Sequence, residues 1–264
     1  MRIKLRLDAS TSPCLLPFDY AYALTELIYR TLEVSSSAYS AFLHDQGYHL
    51  PDKGKPFKLF TFSQLRPARY RVEPAGLRLL SSEIDWQISS PMIEFIEHLA
   101  DGLLRRGQMD LHGDSFRLPL TVRSVETLPR PVFSRHMVFK CLSPLIATTK
   151  REHNGKLATH YYRHDDPVLS EALRQNLMRK YRLIHGGEPE HADFALRFDS
   201  DYVRKKGDNI YKLVQYRARG QITQIKEILA PFTVEGSPEL IAVGYEAGFG
   251  EKNSMGFGMV EVFG

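Results

Sequence analysis

The order of predicted strands and helices constrains this chain most, because the same order occurs in both halves of the sequence. The first half opens with RIKLRL (residues 2–7), where apolar and basic residues alternate as in a strand with one buried face. Helical spacing of apolar residues follows over residues 19–32. A second, shorter helix is predicted to begin near Ser36 and to end at Gly47.

The same alternation continues to the end of the chain. In the first half, strands are predicted at FKLFTFSQL, ARYRV, GLRLLSS and DWQIS, then a helix at PMIEFIEHLADGLLRRG and a long strand at FRLPLTVRSVETL. In the second half, the predicted series is a strand at RHMVFKCL, a helix at DPVLSEALRQNLMRKYRLIHGG, strands at DFALRFD, IYKLVQYRA and QITQIKEILAPFTVEG, a short helix at SPELIAVGYEAG and a strand at GFGMVEVF.

Both halves therefore follow the order β-α-β-β-α-β with extra strands, which is the ferredoxin-like pattern. We expect an α+β protein made of two tandem ferredoxin-like domains, with a glycine-rich loop near the C-terminus. The proline-rich segment LPRPVFS (residues 128–134) predicts a boundary between the domains. The predicted domains are residues 1–130 and 131–264.

Composition supports this organisation and restricts the class of partner. A chain of 264 residues that is 43% hydrophobic can bury two small cores. Its 35 Lys and Arg against 31 Asp and Glu give a net charge of +4, which is compatible with a polyanionic partner without requiring one. The two cysteines, Cys14 and Cys141, are too few for a zinc thiolate cage. The sequence has neither a secretory apolar segment nor an apolar run of about 18 residues, so we expect a soluble, cytoplasmic protein with no membrane partner.

The stretch GFGEKNSMGFG (residues 248–258) places four glycines in two G-x-G pairs. A P-loop would need Lys after its second glycine, but Phe257 follows Gly256. A Rossmann fingerprint would need a helix and a further strand, but only six residues follow Gly258. There remains a loop before the last strand, where glycines permit tight turns and the close approach of a ligand. A turn that only packs the last strand fits the same residues.

This glycine pattern near the C-terminus of two ferredoxin-like halves resembles the CRISPR-associated RAMP (RRM-like) proteins. The stretch VGYEAGFGEKNSMGFGMVEV is most similar to the Cas6 family, which cleaves CRISPR precursor RNA within its repeats. Five shorter stretches show the same similarity in the same order: LIY at 27–29, FLHD at 42–45, FKLFTFS at 57–63, DGLLRRG at 101–107 and LSPL at 142–145. The resemblance therefore covers essentially the whole chain.

The resemblance implies an endoribonuclease that acts without a metal ion or other cofactor. It implies three catalytic residues, namely Tyr29 on the first helix, His44 at the end of the second and Lys58 at the head of the next strand. We expect the glycine loop to bind RNA through backbone N–H groups and the polar side chains between its glycine pairs. The predicted RNA-binding residues are Gly248, Gly250, Lys252, Asn253, Ser254, Gly256 and Gly258.

The implied partner is CRISPR repeat RNA, bound either as a single strand or as a stem-loop. The sequence is also compatible with a homodimer and with a hand-off of the product RNA to a CRISPR effector complex. Among weaker candidates, the basic face of Arg2, Lys4 and Arg6 and the stretch RKKG (residues 204–207) either contact RNA or are simply solvated. His160 and His164 have helical metal-site spacing, but the adjacent tyrosines favour a strand or loop there.

The chemistry of the three residues can be considered without the resemblance. RNA carries its own nucleophile, the 2′-OH, so cleavage needs proton transfers and a cation but no metal-activated water. The ordinary pKa of histidine lies near working pH, and at a helix C-terminus the dipole favours a protonated His44, which suits the acid that protonates the leaving 5′ oxygen. Lys58 would stabilise the phosphorane. With a reference pKa of about 10, Tyr29 is a poor base without help, and the roles of Tyr29 and His44 stay open.

Two other functions remain compatible with the sequence. A non-catalytic RNA-binding RAMP subunit of an effector complex would keep the glycine loop without needing Tyr29, His44 and Lys58. A nucleotide-binding enzyme could place a mononucleotide on the loop, although the P-loop and Rossmann contexts are absent. Cleavage by the 2′-OH mechanism would yield a 5′-OH end and a 2′,3′-cyclic phosphate.

Overall fold

The computed structural model describes the chain except for residues 11–13, 52–54, 154, 219–220 and 264. In the first half, the regular elements are β1 (Arg2–Ala9), β2 (Cys14–Leu16), α1 (Ala21–Ser35), α2 (Ser37–Ala41), β3 (Thr61–Phe62), β4 (Arg66–Pro67), β5 (Tyr70–Glu73), β6 (Gly76–Leu79), β7 (Glu83–Ser89), α3 (Ile93–Arg106), β8 (Gln108–Gly113) and β9 (Phe116–Leu128). A π-helical turn at Phe42–Gln46 continues α2.

The second half is built in the same way. Its elements are β10 (His136–Cys141), β11 (Thr148–His153), β12 (Lys156–Tyr161), α4 (Leu169–His185), β13 (Phe194–Phe198), α5 (Ser200–Lys206), β14 (Tyr211–Ala218), β15 (Gln221–Ile228), β16 (Phe232–Gly236), α6 (Pro238–Ala247) and β17 (Val260–Val262). Residues 129–135 join β9 to β10 and form neither helix nor strand. The division of the chain at residue 130 stays a prediction.

The two main sheets share one topology. The strand order is β3-β7-β1-β9-β8 in the first half, with β4 also paired to β7, and β13-β16-β10-β17 in the second. In the first half β1 lies between β7 and β9, in the second β10 lies between β16 and β17, and each of these pairs is antiparallel. This is the ferredoxin-like order, so the predicted fold class is confirmed. The three-stranded sheet β2-β6-β5 and the hairpins β11–β12 and β14–β15 are additions to it.

Several local predictions are wrong. The long strand predicted at FKLFTFSQL (residues 57–65) is reduced to the short β3, because buried Leu59 has a φ of 52° and breaks the extended conformation. The strand predicted over residues 221–236 is two strands, β15 and β16, which belong to different sheets and are separated by Pro231. The sequence patterns also missed β8, α5 and the hairpin β11–β12.

Each half has its own apolar core between its main sheet and its helices. In the first half, α1 and α3 bury Leu24, Leu27 and Phe95 against sheet residues such as Leu5 and Trp86. In the second half, α4 and α6 cover the sheet with side chains that include Leu173, Leu177 and Ile241, around Phe139 and Phe249. None of the helices in the described part of the chain combines the length and apolar character needed to cross a bilayer.

Arg2 joins the two halves. Its side chain, 4% exposed, donates hydrogen bonds to the carbonyl oxygens of Val260 (2.6 Å) and Tyr245 (2.8 Å) and lies 3.7 Å above the Tyr245 ring. The other two residues of the predicted basic face are ion-paired, Lys4 with Asp85 and Arg6 with Glu126. The suggestion that Arg2 lines an RNA groove is therefore wrong, because the interface between the halves buries its guanidinium.

Three further hydrogen bonds between the halves also have a main-chain carbonyl of the second half as acceptor. Thr61 Oγ1 donates to Phe257 O (2.9 Å), Thr25 Oγ1 to Ser254 O (3.1 Å) and Gln64 N to Leu142 O (3.0 Å). Like the bonds of Arg2, they run from a donor in the first half to a main-chain carbonyl of the second. The carbonyls of Ser254 and Phe257 belong to the glycine loop, and the Arg2 acceptors Tyr245 and Val260 lie on either side of it, so the bonds hold that loop against the first half.

Replacing Arg2 should weaken the whole protein. Arg2→Met should lower the free energy of unfolding by about 2–4 kcal/mol, because two buried carbonyls lose a charged donor. Urea unfolding followed by circular dichroism would measure the change. Arg6→Met is the matched control, since Arg6 is largely exposed and its ion pair with Glu126 should contribute less than about 1 kcal/mol. Equal losses in the two variants would contradict this role of Arg2.

Candidate active site

Tyr29 occupies the third turn of α1 and is half-buried. Its ring packs edge-on against Phe60, with centroids 6.1 Å apart, and Ser40 Oγ donates to its carbonyl oxygen at 3.1 Å. Burial raises the pKa of the Tyr29 hydroxyl well above its ordinary value. Tyr29 is therefore a neutral hydroxyl near pH 7, able to donate or accept a hydrogen bond.

His44 lies in the π-helical turn Phe42–Gln46, which ends at Gly47 with a φ of 64°. Such turns are rare and occur frequently at functional sites. Leu43 is buried and anchors the turn, whereas the His44 side chain is 56% exposed. The His44 ring lies 5.3 Å from the Tyr29 ring, centroid to centroid, and is nearly perpendicular to it.

Lys58 is held beside this turn. Its ammonium donates to the carbonyl oxygen of His44 at 2.7 Å. Burial lowers the pKa of Lys58, and the nearby Asp45 charge raises it. Two backbone hydrogen bonds between Tyr48 and Phe57, of 2.8 and 2.7 Å, tie the Lys58 segment to the end of the turn.

Gly47 makes this approach of the two segments sterically feasible. A Cβ at position 47 would lie 2.8 Å from Phe57 O and 3.0 Å from Lys58 Cδ. Its positive φ adds a second reason for glycine. The structure thus brings Tyr29, His44 and Lys58, which are distant in sequence, to one site on the first half. Their catalytic roles stay predictions.

Asp45 was missed in the sequence, although it belongs to the FLHD stretch. Its Oδ1 lies 2.7 Å from His44 Nδ1, and both side chains are exposed. Because a carboxylate only accepts hydrogen bonds, Nδ1 carries the proton and Nε2 is left for a substrate. The sequence could have indicated this pair, because Asp45 directly follows the candidate catalytic residue His44. Among the described residues, no three His, Cys, Asp or Glu side chains are grouped to hold a metal ion.

The glycine loop (residues 248–258) is packed inside the protein. Its four glycines all have positive φ. A Cβ at Gly250 would lie 2.2 Å from Ile146 O, and a Cβ at Gly258 would lie 2.0 Å from Phe249 O. The close approach that these two glycines permit is therefore made by the chain's own backbone.

The other two glycines also face protein atoms. A Cβ at Gly248 would lie 2.4 Å from Asn253 Nδ2, and a Cβ at Gly256 would lie 2.7 Å from the Phe62 ring of the first half. The Asn253 amide is buried and donates to Phe249 O and Phe257 O at 3.2 and 3.0 Å. These contacts give the glycines and Asn253 a structural role, and RNA contact by them stays a prediction.

A buried lysine holds the loop in this shape. Lys180, on α4, is 1% exposed and donates to Gly248 O (2.7 Å), Gly250 O (2.9 Å) and Asn253 Oδ1 (2.7 Å). Burial lowers the pKa of Lys180 to about 7, while the charge of Glu251 favours the ammonium. The sequence did not reveal this residue, because a lysine in an amphipathic helix normally indicates the solvent-exposed face.

Lys252 and Ser254 are partly exposed, as are Glu251 and Met255 of the same loop. Lys252 has a φ of 56°, which is unusual for a residue other than glycine. Burial lowers the pKa of Lys252, the charge of Glu251 raises it, and the charges of Lys55 and Lys150 lower it further. The three lysines form a basic region beside the loop that also contains the carboxylate of Glu251, and RNA contact by Lys252 and Ser254 stays a prediction.

His160 and His164 do not share a helix. His160 lies in β12, as the neighbouring tyrosines favour, and His164 follows that strand. The Nδ1 atom of His164 lies 2.5 Å from the Tyr211 hydroxyl. The stretch RKKG ends the short helix α5, where Lys206 Nζ lies 6.0 Å from the Tyr202 ring.

Lys180 offers a direct test of the packed loop. Lys180→Met should lower the free energy of unfolding by about 3 kcal/mol, because three buried acceptors lose one charged donor. Hydrogen exchange of residues 248–258 should also accelerate. The matched control is Arg182→Met on the same helix, whose guanidinium pairs with Glu188 at the surface and should contribute below about 1 kcal/mol. Unchanged exchange in Lys180→Met would contradict the assignment.

Comparisons with known proteins give the same family for both halves of the chain. Residues 15–121 match the family model described as CRISPR-associated protein Cas6, N-terminal, and residues 128–262 match the one described as CRISPR associated protein Cas6, C-terminal. The protein named CRISPR-associated endoribonuclease Cas6 1 of Methanocaldococcus jannaschii is 31% identical over 260 residues, covering 98% of this chain and 92% of the relative. CRISPR-associated endoribonuclease Cas6 of Pyrococcus furiosus is 31% identical over 254 residues, or 94% and 84% of the two chains.

The solved structures give the same result. A Cas6-related protein from Pyrococcus furiosus superposes with a TM-score of 0.82 and 25% identity, covering 100% of this chain and 98% of that chain. A CRISPR associated protein Cas6 superposes with a TM-score of 0.79 and 29% identity, covering 100% and 99%. Two domain models, near-complete relatives and a shared fold agree, and the chain therefore belongs to the Cas6 family of CRISPR-associated proteins.

Proposed function

We propose that this protein is a metal-independent endoribonuclease that cleaves CRISPR precursor RNA within its repeats. One observation carries the proposal: Tyr29, His44 and Lys58 meet at one site, with the Lys58 ammonium bonded to the His44 carbonyl oxygen at 2.7 Å. Membership of the family supports it, as does the name of the Methanocaldococcus jannaschii relative, a CRISPR-associated endoribonuclease.

The reaction forms a bond between the 2′ oxygen and phosphorus and breaks the bond from phosphorus to the 5′ oxygen. His44 is the proton donor to the departing 5′ oxygen, because Asp45 binds Nδ1 and leaves Nε2 free to face the RNA. Lys58 stabilises the negative charge that develops on the phosphorane oxygens. The products are a 5′-OH end and a 2′,3′-cyclic phosphate.

Tyr29 is better suited to orienting the 2′-OH than to deprotonating it. Burial raises the pKa of its hydroxyl, so the phenolate that a base requires is disfavoured near pH 7. A neutral phenol still accepts a hydrogen bond from the 2′-OH and can fix its direction of attack. The 2′-OH proton then passes to solvent water at the exposed side of the site.

RNA binding without cleavage is the second candidate. It is favoured by the relative from Pyrococcus furiosus that is 26% identical over 266 residues and is named as an endoribonuclease-like protein. In that case the basic region of Lys252, Lys55 and Lys150 would still bind RNA, and replacing His44 would leave RNA binding unchanged. The experiments below separate the two functions.

The first experiment tests 2′-OH attack without metal. The purified protein should cleave its own CRISPR repeat RNA at one position in EDTA, because the nucleophile belongs to the substrate. The same RNA with a single 2′-deoxy at the scissile nucleotide should bind equally and remain uncut. Loss of cleavage in EDTA would contradict metal independence. Binding without cleavage of either RNA would favour the second candidate.

His44→Ala should reduce the single-turnover cleavage rate by about 10²–10⁴-fold, because the leaving oxygen loses its proton donor. RNA affinity, measured by filter binding, should change little. His49→Ala is the matched control, since His49 is an exposed histidine five positions further along the chain. Equal rates in His44→Ala and the unmodified protein would contradict the proposal.

Asp45→Asn should slow single-turnover cleavage by roughly tenfold, because the amide no longer fixes the protonation of His44 Nδ1. Repeat RNA should bind Asp45→Asn as tightly as the unmodified protein, and Asp45→Glu should recover most of the rate, because its carboxylate still accepts a hydrogen bond from Nδ1. Glu33→Gln removes a carboxylate from the exposed face of α1 and is the control. Equal rates in Asp45→Asn and Asp45→Glu would contradict a positioning role for Asp45.

A further inference from the structure

A second basic site lies on the first half of the protein. It is an open, mainly polar pocket of about 230 Å³ between α1, the end of α3 and the edge strand β8. Its polar lining consists of Arg30, Arg106, His112, Gln108, Ser10 and Asp110. None of these residues belongs to the candidate active site or to the glycine loop.

Arg30 is fixed in the pocket by part of its guanidinium. Its Nη2 donates to Asp110 O at 3.0 Å, and its Nη1 lies 3.1 and 3.2 Å from the two ring nitrogens of His112. Its Nε is buried and has no hydrogen-bond partner among the described residues. Burial lowers the pKa of Arg30, and the charge of Arg106 lowers it further, while Glu26 and Asp110 raise it. The pocket thus holds two like charges near each other.

The neighbouring carboxylates do not neutralise this pair at close range. Asp110 is bound in bidentate geometry by Arg117, with N–O distances of 3.2 and 2.9 Å. Glu26 lies one helical turn before Arg30 and makes no ion pair with it. Within the described part of the chain, neither Arg30 nor Arg106 has a carboxylate oxygen within 4 Å. Two guanidinium groups therefore share a polar pocket, and some of their N–H donors are not bound to a carboxylate.

We propose that this pocket binds a phosphate group of the RNA outside the cleaved bond. A guanidinium presents a planar set of donors that matches phosphate oxygens, and among the described residues neither guanidinium has an ion-pair partner within 4 Å. A contact of this kind positions the RNA without reading its sequence. The inference rests on the proposed function, because it takes RNA as the source of the phosphate.

The position of the pocket fits an RNA strand that leaves the active site. Arg30 directly follows Tyr29 in α1, so the two side chains point about 100° apart around the same helix. A strand whose scissile phosphate lies at His44 can bend around α1 and place a phosphate a few nucleotides away in the pocket. Substrate positioning and cleavage then occupy two faces of one helix.

Arg106→Gln tests the site with little risk to folding, because Arg106 is exposed at the end of α3. We expect repeat RNA with its flanking nucleotides to bind about fivefold more weakly, with the slope of log affinity against log salt reduced by about 0.7 for each lost contact to single-stranded RNA. Arg105→Gln is the matched control, since Arg105 precedes it in the same helix and is bound to Asp101 at 2.9 Å. Equal affinity and slope in the two variants would overturn the proposal.

A phosphate scan gives an independent result. Single methylphosphonates along the RNA should reveal one position at which neutralisation weakens binding to the unmodified protein and has no further effect on Arg106→Gln. No such position would overturn the site. If 5′-AMP binds tightly, in titration calorimetry, to the unmodified protein but not to Arg106→Gln, the phosphate source is a free nucleotide, and RNA is the wrong ligand.

These outcomes are separable from the proposed nuclease function. Single-turnover cleavage at saturating RNA should be the same in Arg106→Gln and the unmodified protein, because the pocket acts on binding. If Arg106→Gln weakens binding while His44→Ala cuts normally, the pocket stands and the assigned mechanism fails. If His44→Ala abolishes cleavage while Arg106→Gln binds normally, the mechanism stands and the pocket is not a phosphate site.

Discussion

The ammonium of Lys180 is the interaction on which the arrangement of the two halves depends. A charge in an apolar interior is costly unless hydrogen bonds replace water, and three acceptors of the glycine loop do so here. With the loop held in this shape, Gly256 can lie against Phe62 and Phe257 O can accept from Thr61. The second half thus supplies a rigid surface against which the first half, with its candidate catalytic residues, is docked.

Backbone strain accompanies both regions to which we assign function. Leu59 and Lys252 are the two residues other than glycine with positive φ in the described part of the chain. Leu59 follows Lys58 and turns the chain so that the lysine reaches His44, while Lys252 begins the central turn of the glycine loop. Such conformations persist only where surrounding contacts enforce them, and they are concentrated at functional sites. Buried Leu59 and half-buried Lys252 both have such surroundings.

The sequence allowed the fold class and much of the candidate site to be predicted, because both depend on local patterns. Alternation and helical spacing gave the ferredoxin-like order, and the family resemblance pointed to Tyr29, His44 and Lys58. Arg2 and Lys180 could not be found in this way, since their burial arises from contacts 243 and 68 residues or more away in sequence. The apparent strand at FKLFTFSQL failed because tertiary contacts fix Leu59 at a positive φ, overriding local strand propensity.

Five hydrogen bonds between the halves share one property, which determines what a substitution in the second half can change. Arg2, Thr25, Thr61 and the Gln64 amide all donate to main-chain carbonyls of the second half. A carbonyl oxygen is present whatever side chain its residue carries, so mutations can accumulate across the second half without removing the acceptors. The docking of the first half therefore specifies where the backbone of Tyr245, Ser254, Phe257 and Val260 lies rather than which side chains these residues carry.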